Sequence, residues 1–149
     1  MTHDIWNQTV RDSIKNHQER ILVLEAEHES KILHVVPINI AVDTTTGVQY
    51  LPIPSELNTL ILVRCQAFVI TAGTTNATTI QIRNITRYSG NNTLSAVLSI
   101  ASGQTVSTGG TIDADYDDVQ TDDVLKIYVT ANSTVKPLGL YVVLEFETA

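Results

Sequence analysis

Hydrophobic positions follow two different spacings along this chain of 149 residues. Up to about Val36 they recur every three or four positions among charged side chains, which is typical of an amphipathic helix. Beyond that point they alternate with Thr, Ser and Asn, which is typical of strands and turns. The pattern predicts an N-terminal helical segment, residues 1–36, followed by a β-sandwich domain, residues 37–149.

The helical pattern runs from about Asp4, a suitable N-cap, to Glu29. One stripe within it has the alternating spacing of four and three residues that is found in coiled-coil seams. Its members are Val10, Ile14, His17, Ile21, Leu24 and His28. A helix with so narrow an apolar stripe is only marginally stable alone in water. We therefore expect the stripe to bind partner chains; packing on the β domain of its own chain is the alternative.

Trp6 is the only tryptophan and lies just before this stripe. A large aromatic side chain in a polar N-terminal turn is typical of an anchor in a partner's pocket, with packing on its own helix as the alternative. His17 and His28 would bind a metal or an anion on the axis of a parallel oligomer, or serve as polar core positions that tune its oligomeric state. No Cys or Asp completes a metal-ligand set at a useful spacing, so no metal site is predicted.

About seven or eight short strands are predicted after the helix, with turns between them and no helical spacer. The segments are 33–42, 48–53, 60–71, 78–84, 94–100, 124–130 and 140–147. Segment 60–71 is almost wholly apolar, as for a strand buried on both faces. In 94–100, the side chains of Leu94, Ala96, Leu98 and Ile100 are expected to share one face, and 101–111 is predicted to be a loop. The protein is therefore predicted to be mainly β, with an antiparallel, jelly-roll-like sandwich.

Charge and composition disfavour several classes of function. The net charge of −7 and the pI of about 4.8 argue against a nucleic-acid binder and against adsorption to an anionic membrane. No apolar run approaches the roughly 20 residues that span a bilayer. The first ten residues lack the pattern of a signal peptide. Cys65, the only cysteine, lies in an apolar segment and is expected to be buried and unpaired.

Three motifs that would indicate an enzyme are missing from the sequence. It has no Gly-rich phosphate loop, no HExxH and no Gly-x-Ser-x-Gly. All histidines lie at or before His34, and Cys65 sits in an apolar strand, so a catalytic Ser/His or Cys/His pair would have to bridge the two parts. We expect a protein that is not an enzyme, with no catalytic residues and no cofactor.

Six aspartates lie between Asp113 and Asp123. The motif that begins at Asp113 matches the start of a calcium loop. Its sixth position is Asp118 rather than Gly and its twelfth is Val124 rather than Glu, which excludes an EF-hand. A looser calcium site and a solvated turn ahead of the next hairpin both stay open.

Sandwich domains often bind glycans through exposed aromatic, Asn and Asp side chains. The candidates here are Tyr88, Tyr116, Asn91 and Asn92. Because aromatic residues make up only 5% of the chain, a stacking platform would be sparse, and ordinary loop residues are the alternative.

Four segments of the β part resemble a known family. They are ITAGTTNATTIQIRN at 70–84, LSAVLSI at 94–100, IDADYDDVQTDDVLKIY at 112–128 and GLYVVLEF at 139–146. Over about residues 35–146 the pattern resembles the jelly-roll domains of tailed-bacteriophage virion proteins, which occur in capsid decoration (cement) proteins, head fibres and tail-associated spikes. The resemblance implies a homotrimer whose N-terminal segment attaches to the virion and whose β domain faces outward. It implies no catalytic residues.

Three functions follow as expectations. The first is a trimeric capsid decoration protein on the outer surface of the capsid or tail, bound to the major capsid protein or another virion protein. The second is a head or tail fibre or receptor-binding protein whose β domain binds host surface glycans. The third is a lectin-like module outside any virion.

Overall fold

The computed structural model describes Gln8, residues 10–18, the backbone of residues 32–40, and residues 47–149. The chain divides into two compact units, Met1–Ser30 and Lys31–Ala149. In the first unit, residues 10–18 are α-helical, within the predicted helix. The remainder of the predicted helix lies outside the described residues.

The second unit is mainly β and contains eight strands among its described residues, with a short 3-10 helix at Ser55–Leu57. The strands are β1 (Ile32–Ile40), β2 (Val48–Pro52), β3 (Leu60–Phe68), β4 (Thr78–Asn84), β5 (Leu98–Ile100), β6 (Thr108–Gly109), β7 (Val124–Ala131) and β8 (Leu140–Thr148). They form two antiparallel sheets with the orders β1-β8-β3 and β2-β7-β4-β5-β6. The prediction of an N-terminal helix followed by an antiparallel β-sandwich is confirmed.

The unit boundary lies before the predicted division at residues 36 and 37, because β1 begins at Ile32 and continues through Pro37. Proline does not end this strand, since β1 is at the edge of its sheet and the missing N–H costs less there. The register against β8 is irregular between Val36 and Ile40, so the expected edge or bend at Pro37 is present.

Strands β1 to β4 alternate between the two sheets, whereas β4, β5, β6 and β7 all belong to the five-stranded sheet, and β8 returns to the other. The segment before β6 crosses to the three-stranded sheet and bonds to the free edge of β3. Val106 pairs with Phe68, and the Ser107 N–H donates to the Ala67 carbonyl at 2.9 Å. The chain then crosses to the other sheet, where β6 pairs with β5.

The start of the same β3 edge is covered by another segment. The Val119 N–H donates to the Leu60 carbonyl, and the Thr59 N–H donates to the Val119 carbonyl, both at 3.0 Å. The Leu62 N–H donates to the Asp117 carbonyl at 2.9 Å. Because both halves of the edge are hydrogen-bonded, β3 does not present a bare edge to other chains.

The core between the sheets is built from alternate side chains of the strands. The largest fully buried side chains are Phe146, Ile53, Leu57, Leu62, Ile80, Ile82, Leu94, Leu98, Ile100, Leu125 and Ile127. Strands β3, β7 and β8 alternate buried and partly exposed positions, because each sheet has one face in the core and one face outside.

This two-layer arrangement corrects the prediction for segment 60–71. The strand ends at Phe68, and it is not buried on both faces. Leu62 and Ala67 are on its buried face, whereas Phe68 is half-buried and Arg64 is exposed. The apolar run in the sequence predicted that both faces of β3 are buried, whereas its outer face is only partly buried.

The prediction for segment 94–100 is correct only at its end, where β5 forms. Leu94 is buried, but Ala96 is exposed and does not share its face. The N–H groups of Ser95 and Ala96 both donate to the Thr111 carbonyl, at 2.9 and 3.3 Å. Two residues therefore oppose one, as in a bulge, and the alternation is broken.

Strand β6 lies inside the segment that was predicted to be a loop. Its two residues, Thr108 and Gly109, are exposed and carry no apolar side chain. A strand without an apolar face has no period-two signal in the sequence, so composition alone predicted a loop.

Cys65 is buried and unpaired, as predicted. Its Sγ lies 3.8 Å from the Gly110 carbonyl oxygen. Burial raises the pKa of the Cys65 thiol to about 11, so the reactive thiolate is scarce at neutral pH.

We predict that Phe146→Ala lowers the free energy of unfolding by about 3–5 kcal/mol, because it leaves a cavity in the core. Tyr50→Ala removes an aromatic ring that is 51% exposed and should cost no more than about 1 kcal/mol. Urea denaturation of both variants checks this. Equal losses would contradict the assignment of the core.

Candidate interaction surfaces

The described part of the helix carries an exposed apolar stripe. Val10, Ile14 and His17 are spaced by four and three residues, so they lie on one face of the helix. Val10 is 40% exposed and Ile14 is 54% exposed. The Nδ1 atom of His17 lies 3.3 Å from the Ser13 carbonyl oxygen, one turn earlier on the same helix. Aliphatic side chains exposed in register on a helix suit contact with a partner chain.

The other predicted partner-binding residues are Trp6, Ile21, Leu24 and His28. All four lie outside the described residues. The structure therefore brings Val10, Ile14 and His17 together and leaves the continuation of the stripe as a prediction.

One end of the sandwich is strongly acidic. Loops 53–59, 85–97 and 110–123 lie there, and β1 begins there because Ile32 pairs with Phe146 near the end of β8. The three loops contain seven acidic residues and a single basic one, Arg87. They are termed the acidic end.

A buried carboxylate organises the acidic end. Asp123 accepts hydrogen bonds from the Asn84 side-chain amide and the Gln120 backbone N–H, both at 2.9 Å. Arg87 Nε lies 3.3 Å from the same carboxylate. The Asn84 side-chain oxygen in turn accepts the N–H groups of Thr86 and Arg87, at 3.2 and 3.1 Å. These bonds satisfy the buried charge and fix the turn after β4.

Arg87 extends this network to the long loop 110–123. Its guanidinium pairs with Asp118, which also accepts the hydroxyl proton of Tyr88. The Tyr88 ring meets Tyr116 edge to face, with centroids 5.3 Å apart. The loop is therefore tied to the turn after β4 by charge, hydrogen bonds and ring packing.

These contacts bear on the interpretation of the aspartate cluster as a solvated turn. The cluster is not simply a solvated turn, because Asp123 is buried and Asp118 is paired with Arg87. Within the described residues, no group of three or more His, Cys, Asp or Glu side chains is placed to hold a metal ion.

The four glycan candidates do not form an open platform. The side-chain oxygen of Asn92 accepts hydrogen bonds from Nε and Nη2 of Arg83, at 3.0 and 2.8 Å. Tyr88 is held by Asp118, and Tyr116 is half-buried against it. Of the four side chains, Asn91 is exposed and the other three are half-buried.

A shallow groove of about 220 Å³ lies on the outer face of the sheet formed by β1, β8 and β3. It is lined by Arg64, Gln66, Phe68, Val143 and Glu145. Phe68 stacks on Tyr141 with ring centroids 5.1 Å apart and planes 11° apart. The sequence did not predict this surface, because it assigned both faces of β3 to the core.

The opposite end of the sandwich is nearly free of charge. Loops 69–77, 101–107 and 132–139 lie there and contain one charged residue, Lys136. The exposed aliphatic side chains in them are Ile70 (78% exposed), Leu138 (63%), Val135 (59%) and Val106 (41%). These three loops are termed the apolar end.

The apolar end has a fixed backbone. The N–H groups of Ile70 and Thr71 donate to the Leu138 carbonyl at 2.9 and 3.1 Å, and the Leu138 N–H donates back to Thr71 at 3.0 Å. Thr74 and Val135 exchange bonds of 3.0 and 3.1 Å. This ladder fixes the backbone that carries the exposed aliphatic side chains.

The sequence did not predict the apolar end. Each loop contributes only one or two exposed aliphatic side chains, and their positions do not recur at a regular spacing along the chain. The signal that was present is the lack of charge in three loops of an acidic chain. Exposed apolar patches of this kind are typical of interaction surfaces.

Comparison of the chain with known protein families, with curated proteins and with solved structures finds no match. In the described part of the chain, no helix has both the length and the apolar character of a membrane span.

We predict that Arg87→Leu lowers the free energy of unfolding by roughly 2–4 kcal/mol, because the buried Asp123 carboxylate loses its cationic partner. Arg64→Leu removes the same group from an exposed position and should change stability by less than about 1 kcal/mol. Thermal and urea denaturation measure both effects. A loss no larger than that of the control would show that the network does not stabilise the fold.

Asp117 provides a pH-dependent test. Burial raises the pKa of Asp117, and the nearby carboxylates of Asp118, Asp113 and Asp115 act in the same direction. Folding thus disfavours the ionised form, so stability is lost as pH rises through the raised pKa and regained on protonation.

Asp117→Asn should therefore raise the free energy of unfolding at pH 7, and the gain should vanish below pH ~3.9, where the unfolded carboxyl is also protonated. Asp115→Asn removes the same charge from an exposed side chain and is the control. Equal gains from both variants at pH 7 would assign the effect to net charge rather than to burial.

Proposed function

We propose that this chain is a structural protein of a tailed-bacteriophage virion, a homotrimeric capsid decoration (cement) protein. Its helical N-terminal segment binds sister chains and the shell, and its β unit is displayed outward. The resemblance of the β part to virion jelly-roll domains supports this proposal.

The observation that carries the proposal is the exposed stripe of Val10, Ile14 and His17. Val10 and Ile14 are exposed to water, and covering them with a partner chain would stabilise the assembly through the burial of apolar surface. The sequence continues the same four-three spacing through Ile21, Leu24 and His28. A stripe of this spacing buries its apolar side chains when parallel helices pair along it.

A trimer would attach to the capsid shell through several linked contacts at once. A closed trimer presents three identical segments to a shell that is itself built of repeated subunits. Each single contact is weak, but linked contacts raise the effective concentration of the rest and make attachment durable. Contacts that span several coat subunits then oppose the separation of those subunits.

The alternative is a head or tail fibre or receptor-binding protein whose β unit binds host glycans. One observation favours it: the groove on β3 and β8 combines aromatic side chains with guanidinium, amide and carboxylate groups, which suit the faces and hydroxyls of sugars. Copy number separates the two functions. Mass spectrometry of purified virions gives hundreds of copies for a decoration protein and a few dozen or fewer for a fibre.

We predict that Ile14→Asp disrupts the trimer and the binding of the protein to virions that lack it, because it places a charge in the helix seam. Asn16→Asp adds the same charge on another face of the helix and should preserve both properties. Deletion of Met1–Ser30, one whole unit, should abolish virion binding. Sedimentation velocity and co-sedimentation with virions measure these effects. Virion binding by the truncated chain would contradict the proposal.

A further inference from the structure

We propose that the apolar end is a second self-association surface, through which the β units of neighbouring copies contact each other. This inference rests on the proposed trimer and adds where the β units touch. The occupant of the surface is a second copy of this chain. Ile70, Val135 and Leu138 provide the main contact.

The charge distribution selects this end for self-contact. The chain carries a net charge of −7, and the loops of the acidic end hold seven acidic residues against one Arg. Two copies that approach through their acidic ends repel each other. The three loops of the apolar end contain only Lys136 as a charged residue, so copies that meet there avoid this repulsion.

The exposed side chains favour contact with protein. Ile70, Leu138 and Val135 are 78%, 63% and 59% exposed, and each is aliphatic, so burying them against like side chains gains hydrophobic free energy. The ladder between residues 70–74 and 135–138 fixes their backbone before contact. Association through this surface therefore orders few additional backbone groups.

The position of the apolar end also suits a trimer joined elsewhere. Strand β1 begins at the acidic end, so the apolar end lies at the other end of the sandwich from the start of the β unit. Three copies held together by their helices meet at high effective concentration, so a modest apolar contact suffices to hold the β units side by side.

Cysteine cross-linking of the full chain tests the contact directly. Val135→Cys and Leu138→Cys each introduce an exposed thiol, while the native Cys65 is buried and holds its proton at neutral pH. Under mild oxidation or with a short bifunctional maleimide, both variants should form covalent dimers. Ser89→Cys, exposed at the acidic end, is the control and should stay monomeric on a denaturing gel.

Charge substitution gives a second measurement. The double variant Ile70→Asp/Leu138→Asp should weaken trimer association by on the order of tenfold or more in sedimentation equilibrium, because it introduces repulsion and loses apolar burial. Gln120→Asp/Thr121→Asp adds the same charge to exposed positions of the acidic end and should weaken association less. Circular dichroism confirms that each variant is folded.

The outcomes separate this inference from the proposed function. If the unmodified chain is a monomer, both the proposed trimer and the proposed contact at the apolar end are wrong. If the chain is a trimer but the apolar-end cysteines do not cross-link and the Asp variant associates normally, only this inference is wrong. If the Asp variant stays trimeric but no longer binds virions, the surface receives a virion protein rather than a second copy, which also overturns it.

Discussion

The structure depends on the burial of alternate aliphatic side chains between two antiparallel sheets. Leu144 and Phe146 of β8 and Ile80 and Ile82 of β4 are fully or almost fully buried, and they belong to one continuous core. Because a strand presents every second side chain to the core, this packing fixes the register of the strands. The connections between strands are thereby confined to the two ends of the sandwich, and it is there that the chain varies its chemistry.

Different interactions order the loops at the two ends of the sandwich. At the acidic end, Arg87 joins Asp118 and Asp123, so a cation stabilises a loop that would otherwise repel itself. At the apolar end, backbone hydrogen bonds between Thr71 and Leu138 join two loops without any charged group. The charges around Arg87 are thus paired within the chain at the acidic end, whereas the apolar end has a hydrogen-bonded backbone and leaves aliphatic side chains in water. This difference is the physical basis for assigning self-contact to the apolar end.

The sequence predicted those elements whose side chains alternate strictly. Strands β4, β7 and β8 were expected close to their observed bounds, because apolar positions recur with period two along them. The fold class followed from the number of such strands and the turns between them. Strand β6 and the bulge at Ser95 and Ala96 were not predicted, since backbone hydrogen bonds to distant residues determine them and leave no local pattern.

The interaction surfaces were predictable only where a period reveals them. The stripe of Val10 and Ile14 has a helical period and was expected. The role of Arg87 depends on two aspartates some thirty residues away in the chain, and the apolar end assembles from three loops that are separate in sequence. Surfaces of this kind become visible only when the fold brings their parts together.

The central claim is that exposed apolar side chains on this chain are covered by further copies of it. Light scattering of the purified full chain over a range of concentrations tests the claim most directly. The account predicts a particle of three times the chain mass of 16.3 kDa. A particle with the mass of a single chain at every concentration would contradict it.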